Sequence, residues 1–325
     1  MVPILIKSGF EVHGLDSDLY QNSNYGPKGP PDIPTMIKDI RDVQKNDLTG
    51  FNAIVHLAGL SNDPLGSLNP ELTMEINYRA TVRLAKLSKR AGVKRFIFSS
   101  TCSNYGASGD KWIDETSSLN PVTPYGRSKV AAERDLKKLC SKDFSITLPR
   151  SSTAYGFSPR LRFDLVLNNL VAWAYSTRKV HLKSDGSPWR PITHIEDISR
   201  AFLYILKAPI DKINGEAFNI GSTSENYQIR EIAQIVKETV EGSEIEFAED
   251  AGPDIRCYKV NCDKIKNTLG FQTIWNAKKG AQEVYNIIKR EGLTLEEFEG
   301  PRYRRLDALK KSISEGWIDK NLHRR

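Results

Sequence analysis

Tyr125 and Lys129 lie four residues apart in the stretch TPYGRSKVAAE, which has the composition of a helix. Residues at this spacing share one face of a helix. A nearby ammonium favours the phenolate, so it lowers the pKa of a tyrosine hydroxyl from its usual value of about 10. Such a tyrosine can take the proton from an alcohol while the same carbon loses a hydride. The pair therefore predicts oxidation and reduction of an alcohol carbon.

A hydroxyl that could serve the same substrate comes earlier in the chain. The stretch FIFSSTCSNYG indicates the end of a buried strand, and it places Thr101 and its neighbour Ser100 at the carboxyl edge of a sheet. Open α/β sheets bind their ligands at this edge. The alternatives are a turn or cap role for Thr101, simple packing for Tyr125 and a solvent-facing Lys129. Because the three features occur in the expected order, we predict that they form a catalytic set.

The surrounding pattern explains how these residues would be positioned. Buried-strand patterns are found at 10–16, 52–59, 93–100 and 144–150, with helical patterns at 71–91 and 124–141. Each step between strands is long enough for a helical crossover, so the sheet should be parallel and doubly wound. Further along, helices are expected at 162–178, 193–209 and 228–242, strands at 179–186, 216–222 and 244–250, and a charged helical tail from about 277.

Composition narrows the classes of protein. The chain has 325 residues, a formal net charge of +7 and four scattered cysteines. Cys257 and Cys262 lack a second Cys/His pair, so we expect neither zinc nor another metal, and the cysteine usage favours the cytoplasm. No apolar run is long enough to span a bilayer. The positive charge accompanies no nucleic-acid-binding motif, so we expect no nucleic-acid partner; it suits a diphosphate-bearing ligand.

Several stretches resemble the extended short-chain dehydrogenase/reductase family, in its NAD-dependent nucleotide-sugar epimerase/dehydratase branch, near the UDP-glucose 4-epimerases. The similarity covers nearly the whole chain past residue 10. The matching stretches are GLDSD, KDIRD, VHLAG, INYRAT, FSSTCSNYG, TPYGRSK, WRPITHIEDISRAF, AFNIGS and GPDIRCYKVNCDKI. The resemblance implies an α/β fold with a Rossmann-type NAD-binding domain over 1–155, which also receives residues 191–222. A smaller α+β substrate lobe would comprise 156–190 and 223–325, with the helical tail packing on it.

The resemblance also implies NAD as the cofactor. Asp16 ends the second strand of the motif, where the family's acidic residue binds the adenosine ribose and disfavours a 2′-phosphate. Asn77 matches an asparagine near the nicotinamide, although a buried structural asparagine is the alternative. The further residues implied to contact NAD are Asp39, Ile40, Leu57, Ala58, Gly59, Ser99, Tyr125 and Lys129.

The implied substrate is a nucleotide-diphosphate sugar. Arg190 and Arg256 match the family's diphosphate arginines, whose planar forks suit phosphate oxygens, and Asn169 matches an asparagine beside the same group. Thr101 would contact the sugar. For each arginine alone, surface charge is the alternative. Helices 71–91 and 124–141 match those that form a homodimer interface in the family, or they simply cover the sheet.

The residues after the threonine bear on the reaction. The family's 4,6-dehydratases carry Asp-Glu there to supply an acid and a base, whereas this chain carries Cys102 and Ser103. We therefore expect epimerisation, at C4 of the sugar, through a transient 4-keto intermediate. Two alternatives stay open: a nucleotide-sugar dehydrogenase or ketoreductase of the same fold, and a non-catalytic binding subunit.

The start of the chain carries a further expectation. A glycine-rich turn lies about twenty residues before the acidic residue in such domains. Counting back from Asp16 places that turn and the first strand before Met1, and makes VPILIKSG the end of the first helix. We expect a sheet that lacks its first strand, through a truncated start or a true short form. Either another segment fills the resulting gap or the stability of the fold is low.

Overall fold

A computed structural model of the chain describes residues 1–27, 29, 32–61, 64, 66, 69–106, 109, 111–252 and 257–325. The strands in chain order are β1 (Gly14–Asp16), β2 (Thr35–Ile37), β3 (Ala53–His56), β4 (Arg95–Phe98), β5 (Ser100–Thr101), β6 (Trp112–Ile113), β7 (Ser145–Ser151), β8 (Thr153–Tyr155), β9 (Lys179–Ser184), β10 (Trp189–His194), β11 (Ala217–Ile220), β12 (Asn226–Gln228), β13 (Glu244–Gly252) and β14 (Lys259–Val260).

The helices surround these strands. They are α1 (Val2–Lys7), α2 (Pro70–Met74), α3 (Thr81–Arg90), α4 (Pro124–Lys137), α5 (Val166–Thr177), α6 (Ile195–Lys207), α7 (Ile210–Ile213), α8 (Ile229–Thr239), α9 (Asp263–Leu269), α10 (Ala277–Glu291), α11 (Leu295–Glu299) and α12 (Arg305–Ser314). A π-helical turn, Glu75–Ala80, joins α2 to α3. Most predicted strands and helices are therefore present, with bounds that differ by a few residues.

The central sheet has the strand order β11–β7–β4–β3, all parallel, and β5 also pairs with β7. The prediction of a parallel, doubly wound α/β sheet is confirmed. Phe96, Ile97 and Phe98 of β4 are all fully buried, as expected for a strand with helices on both faces. The carboxyl end of β4 leads directly into β5, and this brings Thr101 to the sheet edge.

A separate parallel pair, β1–β2, has Leu15 opposite Met36. Among the described residues no backbone hydrogen bond joins β1 to β3, so the pair and the central sheet are distinct hydrogen-bonded units. The strand predicted at 10–16 is shorter than expected because only residues 14–16 have a partner strand. Helix α1 packs against α6 through a cluster that includes Leu5, which confirms a helix in this opening segment.

The lobe contains small sheets that the sequence pattern did not indicate. β8, β10 and β12 form one sheet, β9 and β13 pair in parallel, and β6 pairs with β14. Strands of two to six residues carry too little periodicity to be recognised. Helices α5, α8 and α10 enclose the core of the lobe, in which Phe163 contacts Phe298 and Tyr303 edge to face.

The C-terminal tail packs on the nucleotide-binding half rather than on the lobe alone. Leu309 of α12, together with Ile318, lies in one buried cluster with Ile40, Leu60 and Ile76. The expectation that the tail covers only the lobe is therefore wrong. These contacts join residues separated by more than two hundred positions, and no local pattern could show them.

The described residues include no helix that is both long and apolar enough to cross a membrane. Within the same residues, no group of three or more His, Cys, Asp or Glu side chains could hold a metal ion.

Candidate active site

Helix α4 begins immediately before Tyr125. The Thr123 hydroxyl accepts a hydrogen bond from the Gly126 amide (3.1 Å) and caps the helix, while Pro124 occupies its first turn. Tyr125 therefore lies in the first turn, where its ring projects from the end of the helix. Lys129 and Glu133 follow at intervals of four residues and share its face.

Lys129 is directed into the interior rather than into solvent, with 4% of its surface exposed. Its ammonium donates a hydrogen bond to the Ser99 carbonyl (2.8 Å) and lies 6.0 Å from the centre of the Tyr125 ring. Burial lowers the pKa of Lys129 to about 8, while the negative charge of Glu133 opposes that shift. A lysine held in this way can act on the ionisation of Tyr125.

Thr101 ends β5 and is nearly buried. Its hydroxyl oxygen accepts a hydrogen bond from the Ser103 amide (3.1 Å), which caps the short 3₁₀ helix Cys102–Tyr105. Thr101 is thus a cap residue. The cap uses the oxygen only as an acceptor, so the hydroxyl proton can still be donated to a substrate oxygen.

Glu133 organises this corner of the site, and the sequence analysis did not identify it. Its carboxylate accepts hydrogen bonds from Ser100, from Asn104 (2.9 Å) and from the Arg150 guanidinium (2.6 and 3.0 Å). Ser100 and Asn104 lie on either side of Thr101 in the chain, so the contacts fix its turn against α4. Spacing of four from Lys129 was the available signal.

Arg150 is the charge partner of Glu133, and both side chains are almost fully buried. Burial alone would lower the pKa of Arg150, but the bonds with Glu133 outweigh burial and the pKa is raised. The pair satisfies the general requirement that buried charges be compensated.

The loop after β3 forms an open cradle beside Lys129. Gly59 has a φ of +152°, and a Cβ on it would lie 2.8 Å from the Asn77 side-chain oxygen. Leu57 is 52% exposed although it is apolar. A bare backbone beside an exposed leucine is the kind of surface on which a flat cofactor can lie. Asn77 itself is buried and binds both backbone groups of Leu60 (2.8 and 2.9 Å), so it holds this loop in place.

The residues predicted for the adenosine half lie on β1 and after β2. Asp16 is exposed, and its carboxylate accepts a hydrogen bond from the Asp18 amide (2.7 Å). Asp39 forms an ion pair with Arg41 (2.7 Å), and these contacts lower its pKa although burial opposes the change. Ile40 is buried under the tail.

The residues predicted for the substrate lie in the lobe. Arg190 in β10 is nearly buried, and its guanidinium donates to the Trp189 carbonyl (2.9 Å). The Asn169 amide donates to the Phe163 carbonyl (2.8 Å). Arg256 lies outside the described residues. The contacts of Arg190 and Asn169 are thus with their own lobe.

A parallel nucleotide-binding sheet that carries a tyrosine and a lysine on one helix face defines a class of dehydrogenase-type enzymes that act through a dinucleotide. The family model described as "NAD dependent epimerase/dehydratase family" matches residues 1–221, so the chain belongs to this family. Its members depend on NAD, and NAD is the cofactor of this chain. The open cradle at Gly59 and the buried Lys129 beside it fit that cofactor.

Individual relatives catalyse more than one reaction. The chain is 27% identical over 318 residues to a UDP-glucose 4-epimerase of Bacillus subtilis (strain 168), covering 86% of this chain and 89% of the relative. It is 28% identical over 256 residues to a dTDP-D-glucose 4,6-dehydratase of Homo sapiens, covering 76% and 70%. Among solved structures, MoeE5 in complex with UDP-glucuronic acid and NAD is similar, with a TM-score of 0.75, 24% identity and coverage of 89% and 94%. These likenesses support a nucleotide-sugar epimerase or dehydratase.

Proposed function

We propose that the protein catalyses NAD-dependent epimerisation of a nucleotide-diphosphate sugar at C4, through a transient 4-keto intermediate. The observation that carries the proposal is the position of Tyr125 and Lys129 on one face of α4, with Thr101 fixed at the adjoining strand end. The similarity to a UDP-glucose 4-epimerase over most of both chains supports it.

Each residue has a stated task in this proposal. Tyr125 takes the proton from the C4 hydroxyl, and Lys129 stabilises the resulting phenolate through its positive charge. Bound NAD supplies reversible hydride transfer at C4. Thr101 donates its hydroxyl proton to the carbonyl oxygen that forms. Returning the proton from Tyr125 to the oxygen after the sugar has turned over completes the inversion.

The surroundings of Thr101 favour epimerisation over dehydration. Loss of water needs an acid and a base near the sugar, and the two residues that follow Thr101 are Cys102 and Ser103. Cys102 is 1% exposed, its thiol donates to the Arg150 carbonyl (3.2 Å), and burial raises its pKa to about 12. Cys102 therefore cannot act as a proton donor for elimination at neutral pH.

The experiment follows the anomeric proton signals of UDP-glucose and UDP-glucuronic acid by NMR in the presence of NAD. We expect inversion at C4 with no net change in NADH absorbance. Replacing Tyr125 with Phe should reduce turnover by about a hundredfold to ten-thousandfold, since it removes the general base. The matched control is Tyr204→Phe in α6, which should leave turnover unchanged.

The same assay distinguishes the alternatives. Net accumulation of NADH would indicate a dehydrogenase, and a loss of NADH with reduction of a keto sugar would indicate a ketoreductase. A purified protein that neither contains NAD nor responds to it would indicate a binding subunit. Undiminished inversion by the Tyr125→Phe variant would contradict the proposal.

We further propose that the protein is a cytoplasmic homodimer that associates through the surface of α3 and α4. This surface forms a cleft of about 640 Å³ whose lining includes Val82, Arg83 and Asp135. Apolar and oppositely charged groups on one face suit a self-complementary contact. Sedimentation should show two copies for the native protein and one for Val82→Asp; a native monomer would contradict the dimer.

A further inference from the structure

Two arginines from distant parts of the chain meet at Ser61. Arg162 lies just before α5, and Arg305 is the first residue of α12 in the tail. The guanidinium of each donates a hydrogen bond to the Ser61 hydroxyl, at 3.1 Å for Arg162 and 3.2 Å for Arg305. The three residues therefore join the lobe, the tail and the loop that follows β3.

The charges of this cluster are unequal. Arg162 forms an ion pair with Asp164 (2.6 Å), whereas Arg305 has no carboxylate partner in the described part of the chain. The Arg305 guanidinium instead lies 4.7 Å from the centre of the Tyr20 ring. Burial, reinforced by the charge of Arg162, lowers the pKa of Arg305 to about 10. A buried cation without a partner is costly, which indicates that an anion belongs beside it.

Tyr20 carries the second observation. Its hydroxyl is buried and finds no hydrogen-bond partner among the described residues. Burial raises the pKa of Tyr20, while Arg305 and Arg162 act against that shift, which places the phenol close to both guanidiniums. Buried hydroxyls nearly always have a partner. An anionic ligand would accept the Tyr20 proton and neutralise Arg305 together.

The cluster borders the candidate active site. Ser61 follows the Gly59 cradle by two residues, and Leu60 between them is held by Asn77. The charge of Tyr125 is among the influences that raise the pKa of Arg162, after burial, which lowers it, and Asp164, so Arg162 lies near the proposed catalytic base. The ligand of the cluster is therefore one of the molecules bound at that site.

We propose that Arg162, Arg305 and Tyr20 form a binding site for a diphosphate group, so that the C-terminal tail completes the active site. Two guanidinium forks and a hydroxyl suit the several oxygens of a diphosphate. The choice of diphosphate rests on the proposed function, in which both the cofactor and the sugar substrate carry this group.

The test measures binding rather than turnover. Arg305→Met keeps the length of the side chain and removes its charge, and calorimetric titration with ADP-ribose, UDP and inorganic pyrophosphate follows the result. We expect binding of at least one of the two nucleotides, and of pyrophosphate, to weaken by about 10- to 100-fold. The control is Arg304→Met, which changes the preceding, exposed arginine and should bind all three ligands as the native protein does.

Tyr20→Phe provides a second variant that should fold normally, because the hydroxyl it removes makes no hydrogen bond within the described protein. We expect it to weaken the same ligand by about tenfold and to leave the ligand-free melting temperature unchanged or raised. A loss confined to ADP-ribose assigns the cluster to the cofactor's diphosphate, and a loss confined to UDP assigns it to the substrate's. Native affinity of both variants for all three ligands would overturn the proposal.

The outcome is separable from that of the proposed function. A native protein that binds ADP-ribose or UDP in an Arg305-dependent manner, yet inverts no sugar, would refute epimerisation and leave the diphosphate site standing. A protein that inverts sugars at the native rate and affinity after Arg305→Met would refute the site and leave epimerisation standing.

Discussion

Two buried clusters of charge lie on either side of the candidate active site, and they differ in how they are balanced. At Glu133, the carboxylate is paired with Arg150 and receives further hydrogen bonds from Ser100 and Asn104. At Arg305, the guanidinium has only the Ser61 hydroxyl and the Tyr20 ring in the described structure. The first cluster is complete as protein, whereas the second needs a charge from outside.

This difference indicates different roles. A compensated pair that holds the turn around Thr101 belongs to the scaffold and should be needed for folding with or without ligand. An uncompensated cation should contribute to ligand binding and little to the stability of the free protein. Three changes separate these expectations.

The largest effect is expected for Glu133→Gln. This change leaves Arg150 buried without a compensating charge, so the free energy of unfolding should fall by about 3–5 kcal/mol. Urea denaturation measures the loss. Asp135→Asn is the control, because Asp135 lies on the same helix but pairs with the exposed Arg134 and Lys138. Equal effects of the two changes would show that the Glu133 cluster is not part of the scaffold.

Leu309→Ala tests how the tail is held. Leu309 is 1% exposed and packs in the cluster with Ile40 and Leu60, so truncation should cost about 2–5 kcal/mol through lost burial and the resulting cavity. Lys310→Ala, at the adjacent exposed position, should have little effect. If both variants unfold at the native urea concentration, the tail does not dock on the nucleotide-binding half as described.

The smallest effect concerns pH. Lys129 has a pKa of about 8 in the fold, and Glu133, Tyr125 and the uncharged His56 surround it. Loss of its proton removes the charge that stabilises the Tyr125 phenolate, so turnover should be halved near pH 8 and fall further above it. Lys129→Arg keeps the positive charge, and its profile should not fall there. An unchanged fall in that variant would assign it to another group.

The stability effect of the same group has the opposite sign. An unfolded lysine has a pKa of about 10.4, so between about pH 8 and 10.4 the unfolded chain binds more protons than the folded one. The penalty for burying the Lys129 charge is present below that window and is relieved as the pH rises through it. Denaturation at several pH values would measure this relief, which Lys129→Arg should abolish.

Local pattern was sufficient for much of the fold. The wholly apolar run of β4 and the crossover lengths predicted the parallel sheet, and the four-residue spacing of Tyr125 and Lys129 predicted their common face. The family resemblance identified the loop at Gly59. Short strands such as β8 and β10 were missed because each has few residues and pairs with strands far along the chain.

What the sequence determined by itself is therefore the order of strands and helices, the catalytic spacing and the family, because these depend on periodicity within one or two turns. Only the tertiary structure decided that Glu133 reaches Arg150 and that Arg305 of the tail reaches Ser61. Residues 133 and 150 belong to different elements, and residues 61 and 305 lie 244 positions apart. Such contacts result from packing of whole elements, and no spacing along the chain encodes them.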